Sequence, residues 1–210
     1  MVEFFKTLKS VSKSQTVIEK SKFICEISPI SCEEDAKNFI SEIKKKYTLA
    51  THYCYAYIAD ENGLNVKFSD DGEPQGTAGF PMLEVLKKNG IFKVCAVVTR
   101  YFGGIKLGTG GLSRAYSNSV LTCLSETDVY EMFYSYIFSL KADYSAYNSI
   151  KHFLQTKNIK IISSDFLDGV LINCAAKVND FINIENLKSE IADRFSGAIF
   201  SLIKTDYTDF

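Results

Sequence analysis

Between Lys93 and Leu124 a β-branched run, KVCAVVTRY, passes directly into FGGIKLGTGGLSRAY and then into a helical apolar pattern. No other part of the chain constrains the fold as tightly. Side chains branched at Cβ suit a buried, pleated strand. Leu112, Ala115, Tyr116, Ser119, Val120, Cys123 and Leu124 recur at i, i+3, i+4, i+7 and predict a packed helix. Five of the chain's twelve glycines fall in the eighteen residues from Thr99 to Tyr116. A buried strand must therefore turn through permissive backbone and lay a helix, expected to begin near Leu112, back onto its own sheet.

The flanking segments supply the rest of that sheet. Short alternating stretches within 16–29 and 51–69 read as strands. Between them SCEEDAKNFISEIKKKY reads as a helix, with Ser31 and Glu34 as a capping box and Ala36, Phe39, Ile40, Ile43 and Tyr47 on one apolar face. From about Tyr134 the order becomes strand, helix, strand, strand, helix, strand. FYSYIFSLKA, IKIISSDF, VLINCAAKV and AIFSLIKT are the strands, and Asp168-Gly169 marks a hairpin. Asp143 is a plausible helix cap, Tyr147, Ile150 and Leu154 mark one helix, and Ile184, Leu187, Ile191 and Phe195 the other. The stretch from Leu124 to Met132 is the expected boundary. The reading is two domains, 1–128 and 132–210.

Composition narrows the function classes. The chain is 46% hydrophobic and 23% charged, an ordinary balance for a packed protein rather than a disordered one. No apolar run approaches membrane-spanning length, and lysines at 6, 9 and 13 interrupt the N-terminus, so a cytoplasmic protein without membrane attachment is expected. A net charge of −1 argues against a protein built to coat nucleic acid over its whole surface, and leaves room for a local basic patch. The six cysteines form no C-x-x-C pair and several sit in apolar strand-like contexts, so reduced structural thiols are expected.

The glycine stretch carries Arg100, Lys106 and Arg114 and no acid. It is not a P-loop, because Thr109 stands where the lysine belongs, and Ser113 breaks the dinucleotide-binding spacing. What remains is general: permissive backbone at Gly103, Gly104, Gly108, Gly110 and Gly111, free N–H groups at a helix start, and cations favour an anion. The alternative is tight turning with solvated cations.

Two further stretches bear chemistry. In FSDDGEPQGTAGFP, Asp70, Asp71 and Glu73 offer three oxygen donors, but their spacing fits no EF-hand. A shaped turn acting as acidic partner to the basic loop is the expected role, with Pro81 in the first turn of a helix that stops at Gly90. In ATHYCYAYI, alternation sets His52, Cys54, Ala56 and Ile58 on one strand face and Tyr53, Tyr55 and Tyr57 on the other. A Cys–His nucleophile lacks a third group, and the tyrosines read as packing before base stacking. His152 lies on a charged helix face. No catalytic residue, metal or cofactor is assigned.

Together SKFI at 21–24, ATHYCYAY at 50–57, DDGEPQGTAGFPML at 70–83 and VVTRYFGGIKLGTGGLSRAY at 97–116 resemble the IMPACT/YigZ family. The second half resembles the C-terminal domain of its bacterial members. The resemblance implies an α+β fold: an N-terminal ribosomal-protein-S5-domain-2-like domain, a sheet with helices on one face, followed by a ferredoxin-like βαββαβ domain. The pair looks like the last two domains of elongation factor G. Eukaryotic relatives regulate translation initiation under amino-acid starvation by competing for an activator of an initiation-factor kinase, through a surface linked to an N-terminal RWD domain. Only about twenty residues precede the first motif here, so that module is expected to be absent and kinase regulation is not carried over. The expectation is a non-enzymatic, translation-associated protein binding RNA or a ribosomal partner, with Arg100, Lys106 and Arg114 on phosphates and Asp70, Asp71 and Glu73 ordering the neighbouring loop. An enzyme acting on a phosphorylated small molecule and a protein-interaction module are the alternatives.

Overall fold

The computed structural model describes residues 2–178 and 183–210. The chain divides into two compact units, Met1–Glu131 and Met132–Phe210. Among the described residues no helix is long and apolar enough to cross a membrane.

The first unit runs β1 (Phe4–Leu8), β2 (Ser12–Ile18), β3 (Ser21–Pro29), α1 (Glu33–Lys46), β4 (His52–Ile58), β5 (Val66–Ser69), α2 (Gly79–Lys88), β6 (Val94–Tyr101) and α3 (Gly108–Ser125). Its sheet has the order β2-β3-β6-β4-β5, every pair antiparallel. β6 is central, and this is why its sequence is apolar at every position from Val94 to Val98 rather than alternating. Val94, Ala96 and Val98 join Phe23, Cys25 and Ile27 of β3 and Cys54, Ala56 and Ile58 of β4 beneath α2 and α3. Cys95 and Val97 face the other way and pack with Tyr57 against Ala36, Phe39 and Ile43 of α1. The sheet is thus covered by helices on both faces, a correction to the one-sided arrangement. The tyrosines of β4 belong to the α1 side, with Tyr53 and Tyr55 half-buried at its margin.

Two local readings also change. α1 begins at Glu33, so Cys32 holds the cap position, and the Asp35 carboxylate rather than Glu34 reaches back to accept from the Ser31 N–H at 2.8 Å. α3 begins at Gly108, four residues before Leu112, taking three of the glycines into its first turn. The N-terminal β1 is tied to the turn after α2: the Lys6 N–H donates to the Gly90 carbonyl at 2.9 Å, and the Phe92 N–H donates to the Lys6 carbonyl at 2.8 Å.

The second unit contains β7 (Val129–Ala142) from Met132 onward, α4 (Tyr147–Thr156), β8 (Lys160–Leu167), β9 (Gly169–Lys177), α5 (Ile184–Arg194) and β10 (Ile199–Asp209). These strands lie in the order β10-β7-β9-β8, all antiparallel. Each βαβ crossover skips one strand, which defines the ferredoxin-like arrangement. Phe138 and Leu140 of β7 and Val170, Ile172 and Cys174 of β9 meet Ile150, Phe153 and Leu154 of α4 and Leu187 and Ile191 of α5 in one core. Gly169 turns the hairpin at φ 104°, and a Cβ there would lie 2.8 Å from the Ala142 carbonyl oxygen. Asn183 caps α5, its side-chain oxygen accepting from the Glu185 and Asn186 N–H groups at 2.9 and 3.2 Å. Asp143 precedes a short 3₁₀ turn and makes no side-chain capping bond.

Candidate anion and nucleic-acid interface

The four sequence motifs meet at one end of the first unit's sheet, where β3 and β4 begin and β6 ends. The acidic loop after β5 is ordered from within. Asp70 accepts from the N–H groups of Gly76, Ala78 and Gly79 at 2.8, 2.9 and 2.8 Å, and so caps α2 from eight positions upstream of Ala78. Asp71 accepts from the Tyr53 N–H at 2.7 Å and pairs with Lys44 at 3.5 Å. Its carbonyl accepts from His52 Nδ1 at 2.8 Å. Among the described residues no group of His, Cys, Asp or Glu could hold a metal ion.

Glu73 is the buried centre of this region. Its carboxylate accepts from Arg100 at 2.6 Å and from the Tyr116 hydroxyl at 2.7 Å, and His52 Nε2 stands 3.9 Å away. The Cys54 thiol donates to the Asp70 carbonyl at 3.0 Å instead of engaging His52. Burial pushes the Cys54 thiol and the Tyr116 phenol far up, so neither supplies an anion at neutral pH. The arrangement holds a loop and a helix together and presents no activated nucleophile.

Arg100 is therefore not at the surface. It is 4% exposed, lies between the rings of Phe23 and Phe102 at 5.3 and 5.4 Å, and donates to Ser21 Oγ at 3.3 Å as well as to Glu73. Its Nε is buried without a partner. A guanidinium so placed is unavailable to an external phosphate.

The glycines divide by task. A Cβ on Gly103 would lie 2.0 Å from the Lys20 carbonyl carbon, so this glycine lets the turn after β6 press against the β2–β3 hairpin. Gly104 and Gly108 have φ of 89° and 68°, in the left-handed region. Gly110 faces open space except for Arg114, and Gly111 meets only the Leu107 side chain. The first turn of α3 has no acid, and its cap residue Leu107 has no side-chain acceptor, so its N–H groups present uncompensated positive charge. Lys106 and Arg114 are exposed and, among the described residues, are in no ion pair. They line an open cleft of about 520 Å³ together with Ile18, Glu19, Leu107 and Asn118.

Sequence reasoning missed three residues at this end of the sheet. Lys22 lies over the Tyr101 ring at 5.2 Å, and Phe102 is 47% exposed at the β6 terminus. Ser21 is shared between Arg100 and the Gly103 N–H, the latter at 3.1 Å. Strand register could have found Lys22, since it sits opposite Tyr101.

A helix-covered antiparallel sheet, a glycine turn opening an uncapped helix beside two free cations, and a ferredoxin-like second unit define a two-unit α+β protein with an anion-compatible cleft. The family model described as "Impact N-terminal domain" matches residues 19–124, which contain the acidic loop, the Glu73 centre and the glycine turn. The chain is 50% identical over 170 residues to IMPACT family member YvyE of Bacillus subtilis, covering 81% of this chain and 78% of that protein. It is 35% identical to an IMPACT family member of Haemophilus influenzae, over 91% of this chain and 92% of the relative. A solved structure described only as a hypothetical protein matches with a TM-score of 0.63 at 31% identity, over 97% of this chain and 99% of its own. The chain belongs to the IMPACT family.

Proposed function

We propose that this chain is a non-catalytic, translation-associated protein that binds RNA, free or within a ribosome, through the cleft at the start of α3. The observation that carries the reading is the convergence of Lys106 and Arg114, unpaired among the described residues, on the bare first turn of α3. A phosphate seated there meets helix N–H groups and two cations at once, and Gly110 leaves its approach open. A cation near a helix N-terminus opposes the helix dipole, so Arg114 is poorly placed for stability alone and well placed for a bound anion. Arg100 has no part in this contact; its role is to hold the β6 terminus through Glu73. The link to translation is what the family resemblance implies.

Titration of labelled RNA into the wild type and a Lys106→Ala/Arg114→Ala variant at several salt concentrations tests the reading. The variant should bind more weakly, and its salt slope should fall by about 0.7–1 per lost phosphate contact. Equal affinity and slope in both proteins would remove the cleft from the function. The cleft also lies within the size range of small-ligand sites. Binding of a phosphorylated metabolite in the absence of any RNA binding would favour an enzyme or sensor of that metabolite instead.

A further inference from the structure

We infer that Phe102, at the end of the sheet beside the cleft, is a base-stacking platform, which makes the protein selective for single-stranded over duplex RNA. The inference rests on the reading of the neighbouring cleft as an RNA phosphate contact and adds to it the chemistry of the bases.

The Phe102 ring is held, not loose. Phe102 rests on the Arg100 guanidinium, and its N–H donates to Thr51 Oγ1 at 3.0 Å, yet the residue is 47% exposed. Tyr101, one residue earlier, points to the opposite face of the sheet, where its hydroxyl donates to the Thr48 carbonyl at 3.3 Å and Lys22 lies over its ring. An exposed aromatic ring backed by a cation offers a surface for a base with little ordering left to do. The rim continues into the cleft without interruption: Gly103 lies against Lys20, and Ile105, 39% exposed, lines the cleft beside Lys106.

Three of the six described non-glycine residues at positive φ lie at this end of the sheet. Glu19 and Lys20 form the β2–β3 turn at φ 46° and 63°, conformations for which Asn-Gly is the usual choice, and Leu49 stands at φ 64° while 95% exposed. Non-glycine residues in this region are costly, and such strain gathers at binding sites. Charge decides between occupants. Segments 18–21 and 102–108 with Arg114 hold Lys20, Lys106 and Arg114 against one acid, Glu19. An exposed ring beside spaced cations fits a strand whose bases are free and whose phosphates are spaced along it. In a duplex the base faces are already stacked, and only the phosphates could reach this surface.

The chain contains no tryptophan, so Phe102→Trp introduces a unique reporter on the platform. Its fluorescence should be quenched by a twelve-nucleotide single strand of RNA and left unchanged by a duplex of the same sequence. In parallel, anisotropy titrations of the wild type should favour the single strand by about tenfold or more. Phe102→Leu, which keeps apolar cover over Arg100, should lose that preference while retaining duplex binding and its salt slope. Quenching by duplex and single strand alike, or an unaltered preference in Phe102→Leu, overturns the platform and leaves the phosphate cleft standing. Absence of RNA binding in every form overturns both readings. Capture of a protein partner on this rim that RNA does not displace likewise overturns the platform.

Discussion

Replacing Glu73 by Ala removes the one carboxylate that faces Arg100. The guanidinium is 4% exposed, donates to Glu73 at 2.6 Å and already has an unpartnered Nε. Deleting one partner of such a pair leaves an uncompensated buried charge, which costs about 3–5 kcal/mol. The Tyr116 hydroxyl, 2.7 Å from the same oxygen, loses its acceptor as well. That second loss overlaps the first and keeps the total near the top of the range rather than adding in full. Against a domain stability of about 5–15 kcal/mol, the variant should melt roughly 10–20 °C lower. Glu73→Gln keeps an acceptor and should fall between the two. Glu73→Leu with Arg100→Met removes both charges and should recover most of the loss, because replacing a buried pair with apolar side chains is often neutral. Urea denaturation of the whole chain, followed by circular dichroism for all variants, closes the cycle. A cost below about 1 kcal/mol for Glu73→Ala, or strict additivity of the two sites, would refute the view that this pair organises the sheet end.

Three other outcomes follow from the same geometry. Gly103→Ala should destabilise severely, since its Cβ would lie 2.0 Å from the Lys20 backbone, whereas Gly110→Ala should raise the melting temperature through a helix gain of up to ~1 kcal/mol and weaken RNA binding. Thermal melts and the RNA titration check both, and an intact Gly103→Ala fold would contradict the close packing. Of the six thiols only Cys32 is exposed, so Ellman's reagent should modify one equivalent rapidly in the native protein and the remaining five only on unfolding; more than one fast thiol would contradict the burial. Burial lifts the thiols of Cys25, Cys54, Cys95 and Cys174, the last to about 12, above the ordinary value near 9. Above about pH 9 the unfolded chain therefore releases protons that the fold retains, so the stability these four thiols contribute is complete below about pH 9 and declines above it. Cys123 is shifted the other way, to about 7, chiefly by its hydrogen bond with Cys25, but its contribution is already complete above pH 9 and does not offset the fall. Urea melts at pH 9, 10 and 11 that rise in stability across this range would contradict the argument.

How much of this was legible depends on the range of the interaction. The Asp168-Gly169 hairpin, the Asn183 region aside, and the order of strands and helices in the second unit were readable because turn chemistry and periodicity act over a few residues. The Ser31–Glu34 cap failed by one residue: Asp35 is an equally good acceptor, and the packing of Ala36, Phe39 and Ile43 sets where α1 starts. The five glycines read as one loop because all tolerate unusual backbone. Only the neighbouring hairpin separates Gly103, excluded from bearing a Cβ by Lys20, from Gly110, which has open space.

The sequence alone determined that a buried strand must end in permissive backbone, that a helix must follow, and that three cations would gather near the turn. Alternation along β6 even carried the fate of Arg100, since it shares the parity of Val94, Ala96 and Val98, which face α2 and α3. What alternation could not supply was a reason for a charge to point inward. That reason is Glu73, 27 positions away, together with the hydroxyl of Tyr116 on a different helix. Tertiary structure thus decided which cation is a strut and which two are free, because desolvating a charge is tolerable only where the fold delivers its counter-charge. Lys106 and Arg114 receive no such partner among the described residues, and so remain at the surface, beside the bare start of α3.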